Sequence, residues 1–146
     1  MSLDKGLSSK VVYLLSEELK NDPEQVSKAQ ALTLDDTRQF GLKGSHGLFG
    51  SEEWWKNIDD GILPLKKVSG VISRLYVAGQ DTEEDENEFV LNLDDGREHI
   101  ESIFANKKAD EKLFKVGARV DIVYVLDELK TNELSEIVLE MAVTVN

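Results

Sequence analysis

The clearest pattern in the chain is an alternation close to its last residue. Ile137, Leu139, Met141, Val143 and Val145 fall at every second position, which predicts a strand over 135–145. Val120, Ile122, Tyr124 and Leu126 alternate with Arg119 and Asp121 and predict a strand over 118–126, with a turn around Lys130-Thr131-Asn132 between the two. Three earlier runs read the same way. These are 68–78 (VSGVISRLYVA), 88–94 with Phe89, Leu91 and Leu93 on one face, and 97–104. Asp94-Asp95-Gly96 supplies a tight turn, with glycine where φ must be positive. A short helix over about 107–115, carrying Leu113 and Phe114, separates the third strand from the fourth, and Gly117 opens the fourth.

Before residue 68 the period is helical. Val11, Leu14, Leu15 and Leu19 predict a helix over 8–20, with Ser8 or Ser9 as its cap. Asn21-Asp22-Pro23 ends it, and Asp22 with Pro23 opens a second helix to about Leu32. Thr33-Leu34-Asp35-Asp36 resembles a capping box for another helical turn. Residues 41–50 carry glycines at 41, 44, 47 and 50, which argues against helix or regular strand. Phe40, Phe49, Trp54 and Trp55 cluster around them, so this is a loop that packs. No Pro/Ser-rich linker follows, and the helical segment is expected to dock on the strands.

Three strands, a short helix and two strands, in that order, resemble the OB-fold, a five-stranded Greek-key barrel. Gly70 and Gly79 allow the first strand to bend. The resemblance covers about 68–145. The expected class is α+β, mainly β: an OB-like five-stranded antiparallel barrel with a helical and Gly/aromatic segment, 1–67, packed on it in a single domain of residues 1–146. The alternative is a different α+β fold with one antiparallel sheet.

Charge changes what that fold suggests. The net charge is −12, and the 21 residues from Asp81 to Glu101 hold ten acids against Arg97 alone. The acidity is therefore local, on the hairpin of the first two strands. In an OB barrel that loop, the loop joining strands four and five, and the face of strands two and three form the usual oligonucleotide site. Phosphate binding needs Lys and Arg there, so nucleic acid is not expected as a partner. Lys107, Lys108, Lys112 and Lys115 alternate with Asp110 and Glu111 and read as a mixed solvated face. No apolar run is long enough to span a membrane, and none resembles a signal-peptide core, so a cytoplasmic protein is expected. The chain has no cysteine, which excludes disulfides and thiolate zinc sites.

Asp81, Glu83, Glu84, Asp85, Glu86 and Glu88 are the candidate partner-binding residues, aimed at a basic protein surface; a solvated hairpin tip is the plainer reading. A calcium loop fails because Glu86 stands where the sharp turn needs glycine. The glycine repeat lacks the Gly-Lys-Ser/Thr ending and preceding strand of a phosphate loop. His46, Phe49, Trp54 and Trp55 are the candidates for a ligand pocket. His46 and His99 make no metal motif and Ser45-His46 no nucleophile elbow, so no catalytic residue, metal or cofactor is assigned. The leading expectation is a non-enzymatic binding module with an inhibitor, immunity-like or adaptor role. Small-molecule binding or catalysis in the Gly/Trp pocket, and OB-type nucleic-acid binding, are the alternatives. The long last strand is also expected to offer an edge for a homodimer.

Overall fold

The computed structural model describes residues 8–77 and 86–145. Its elements are β1 (Ser8–Leu14), α1 (Leu15–Asn21), α2 (Pro23–Leu34), α3 (Glu52–Asp59), β2 (Leu65–Tyr76), β3 (Glu88–Leu93), β4 (Glu98–Ser102), a 3-10 helix (Lys108–Leu113), β5 (Arg119–Glu128) and β6 (Leu134–Val145). The strands form one open, six-stranded antiparallel sheet in the order β1-β6-β5-β2-β3-β4.

The five-stranded closed barrel is therefore corrected to an open sheet of six strands, the alternative fold class. The reason is residues 8–14. Closing the sheet would need β6 to reach β4, but β6 pairs with β1 from Ser8↔Val145 to Leu14↔Glu140. The helix expected over 8–20 is thus a strand followed by a short helix. Val11-Val12-Tyr13 has strong β propensity, and a bulge between Val11 and Tyr13 lets both Val12 and Tyr13 turn inward. Of the residues that suggested helical spacing, Val11 and Leu14 belong to β1, and Leu15 and Leu19 to α1. The edge expected on the last strand is occupied by β1; the outer strands are β1 and β4.

The chain folds as two compact units. One is drawn from Met1–Leu14, Lys67–Ile122 and Glu140–Asn146, the other from Leu15–Lys66 and Val123–Leu139. The first buries Val12, Ile72, Phe89, Leu91, Val120, Ile122, Met141 and Val143. The Phe89 and Phe114 rings lie 5.4 Å apart within it. Each such side chain contributes about 1.5–3 kcal/mol on burial. Asn106 completes β1 with its amide: Oδ1 accepts from the Leu14 N–H at 2.8 Å and Nδ2 donates to the Leu14 carbonyl at 3.1 Å. Lys10 and the buried Asp110 pair at 2.8 Å.

The second unit buries Leu15, Leu19, Trp54, Ile58, Leu63, Tyr124, Val125 and Val138. The glycines of 41–50 serve its helices. Gly47 has φ +99°, and a Cβ there would meet the backbone nitrogen of Trp54 at 2.8 Å. The loop passes so close to the start of α3 that only glycine fits.

Candidate partner-binding surface

β2, β3 and β4 form a meander whose two faces differ. Phe89 and Leu91 point into the core. On the opposite face lie Glu88 beside Ser102, Val90 beside Ile100, and Asn92 beside Glu98. β2 adds Arg74 beside Val90 and Tyr76 beside Glu88. Val90 is 5% exposed and Ile100 56%. Arg74 lies over the Tyr76 ring, 5.1 Å from its centroid. The Tyr76 hydroxyl donates to Glu88 Oε1 at 2.6 Å, and this bond raises the Tyr76 pKa above its usual value.

The acids of this region divide into two sets. Asp94 is held by Arg119, whose Nη1 donates to Oδ1 at 3.2 Å. Asp95 accepts from the backbone N–H of Arg97 at 3.0 Å and from its guanidinium at 2.7 Å. The backbone bond first, then the side chain, holds its pKa below the ordinary carboxylate value. Glu101 Oε2 accepts from the Ser102 N–H at 2.8 Å. Glu86 and Glu98, by contrast, are exposed and make no ion pair among the described residues. Of the six expected partner-binding residues, Glu86 and Glu88 therefore sit on this surface. Asp81, Glu83, Glu84 and Asp85 lie outside the described residues.

A groove of about 610 Å³ adjoins Glu86. Its floor is apolar, from Leu75, Ile103 and Phe114, and Lys108, Lys112 and Lys115 line it with Glu86 and Glu111. Three of the four lysines read as a mixed face thus line a groove shared with Glu86 and Glu111.

The other expected site residues are in the second unit. Ser51 caps α3 by accepting from the Trp54 N–H at 3.2 Å. Trp54 is fully buried, and its indole N–H donates to Asp127 Oδ2 at 3.0 Å. Phe49 and Trp55 flank it, with ring centroids at 4.9 and 5.0 Å. His46 is half-buried, and its carbonyl accepts from Asn57 Nδ2 at 2.9 Å. Three of the four aromatic-loop residues, Phe49, Trp54 and Trp55, are brought together as ring packing.

The Immunity protein RhsI2 family matches residues 9–144. The chain belongs to that family. The expected immunity-like binding role is thereby met, and the partner class is a protein toxin. No curated protein matches the chain. Among the described residues, no helix is long and apolar enough to cross a membrane.

The exposed residue of this surface that sequence reasoning overlooked is Ile100, 56% exposed. The run Glu98-His99-Ile100-Glu101 gives a lone apolar residue between acids, which reads as ordinary strand alternation until β4 is known to be an outer strand of the sheet. Asp127 was overlooked as a core residue too. Its signal was the unbroken run Ile122–Leu126, which marks a strand covered on both faces.

Proposed function

We propose that the chain neutralises its toxin by binding alone, without catalysis, and that the face it uses is the acidic one running through Glu86, Glu88 and Glu98, with Asp81, Glu83, Glu84 and Asp85 contributing. The toxin surface it meets is basic. The observation that carries this reading is the pair of exposed carboxylates, Glu86 and Glu98, left without an ion pair among the described residues. Asp94 and Asp95 on the same hairpin spend their charge on Arg119 and Arg97, whereas Glu86 and Glu98 keep theirs available to a partner. The local charge of −9 over 81–101 supports it, since such a field raises encounter rates by roughly 10–1000-fold at low salt.

The test is binding to the cognate toxin domain, measured across a salt series. The association rate should fall steeply with salt. Converting Glu83, Glu84, Asp85, Glu86 and Glu98 to their amides should flatten that slope and weaken binding by about tenfold or more. A salt-independent rate, or amide variants that bind like the parent, would assign the contact to another surface.

A further inference from the structure

Among the described residues the sheet stops at β4, and no strand pairs with its outer edge. The Leu93 N–H donates to the Arg97 carbonyl at 2.8 Å and the Ile103 N–H to the Asn87 carbonyl at 2.9 Å. These fix the phase of the ladder. Leu91–His99 and Phe89–Glu101 are the hydrogen-bonded pairs between them, so Glu98, Ile100 and Ser102 turn their N–H and C=O away from β3. The Ser102 N–H is taken by Glu101 Oε2. With β4 outermost, the described sheet offers no partner to the N–H groups of Glu98 and Ile100. The Ile100 side chain is 56% exposed beside them. An exposed β-branched apolar residue on an outermost strand is a feature folded proteins usually suppress with lysine, proline or a covering loop.

We propose that the toxin docks by strand addition: an extended toxin segment pairs its backbone with Glu98 and Ile100 along the outer edge of β4. The segment is apolar where it packs on Ile100 and carries lysine or arginine on either side, where it meets Glu98 and Glu88. Charge selects this occupant over a second copy of the chain. Two copies joined at β4 would bring two segments of −9 together, and like charges opposite one another destabilise strand pairs. Backbone pairing supplies affinity here, and alternate side chains supply specificity. The proposal rests on the toxin-binding reading above and adds its geometry.

Two variants and one exchange measurement test it against the same toxin domain. Ile100→Pro removes an N–H that the β3–β4 ladder does not use, a position where proline is tolerated; Ile100→Thr keeps the N–H and the β propensity but removes apolar surface. The expected result is binding weakened about 100-fold by I100P and about tenfold by I100T, with the amides of Glu98 and Ile100 gaining hydrogen-exchange protection in the wild-type complex. Wild-type binding by I100P, or unchanged exchange at both amides, overturns strand addition. If the amide variants of the acids still weaken binding in that case, the acidic-surface reading survives. If I100P does not fold, the exchange measurement on the wild type decides.

Discussion

Two acid-bearing regions of this chain share a charge type and differ in what surrounds it. Around Asp127–Glu133 every base and most acids are engaged. Asp127 is 2% exposed and accepts from the Trp54 indole and from the Glu128 N–H at 2.9 Å. Glu128 faces Lys43 at 3.5 Å. The Lys130 ammonium donates to the carbonyls of Leu32, Asp35 and Arg38 at 2.6, 3.0 and 3.2 Å. Across 86–101, exposed Glu86 and Glu98 stand with Arg97 as the nearest base in sequence, and Arg97 is spent on Asp95. The lesson is that formal charge predicts function only after structural partners are subtracted. The first region uses its ions to hold α2, α3 and β5; the second leaves Glu86 and Glu98 exposed and without an ion pair among the described residues.

The comparison breaks most visibly at Trp54 and Asp127. Removing the buried indole by Trp54→Ala should cost about 3–5 kcal/mol. Asp127→Ala leaves two N–H groups without an acceptor, each worth about 1–3 kcal/mol when orphaned in the interior. Both losses should show as lower denaturant midpoints in urea, with Asp127→Asn costing less because it keeps an acceptor. If Asp127→Ala is as stable as the parent, the carboxylate is not structural and the contrast between regions fails.

Lys130 comes next. Its ammonium satisfies carbonyls at and beyond the end of α2, where a cation also meets the negative end of the helix dipole. Lys130→Met keeps the aliphatic stem and should cost roughly 1–3 kcal/mol, read by the same denaturation curves. It should leave toxin affinity unchanged, since Lys130 belongs to the internally satisfied set. Loss of affinity with unchanged stability would move the binding surface to that loop.

Much of this was legible in the sequence. Period-two alternation located β3, β5 and β6 to within about two residues, and Asp94-Asp95-Gly96 gave the β3–β4 turn, with Gly96 at φ +90°. The charge map pointed to a binding role before any fold was known. What stayed hidden depended on pairing distant in sequence. Val11-Val12-Tyr13 is compatible with helix or strand, and only the free edge of β6, some 130 residues later, selects strand. α3 was missed because the adjacent tryptophans drew attention from Ser51-Glu52-Glu53, a serine cap followed by acids in the first turn. Ile100 needed the sheet order itself: an apolar residue becomes conspicuous only once its strand is known to be outermost.

Glu88 is the member of the acidic face that has a partner, and it gives the subtlest test. Its carboxylate holds the Tyr76 proton, so the Tyr76 pKa in the folded chain lies above the ordinary 10.0, with burial adding to the same direction. A group whose folded pKa is raised contributes stability that is fully present below its unfolded pKa and is lost as pH rises through the folded one. The stability difference between wild type and Tyr76→Phe should therefore be constant at neutral pH and shrink above about pH 10. Ultraviolet titration should show a late-ionising tyrosine in wild type that is missing in Tyr76→Phe, and Glu88→Gln should return it toward normal. A late tyrosine that persists in Glu88→Gln would mean that burial, and not the carboxylate, holds the proton.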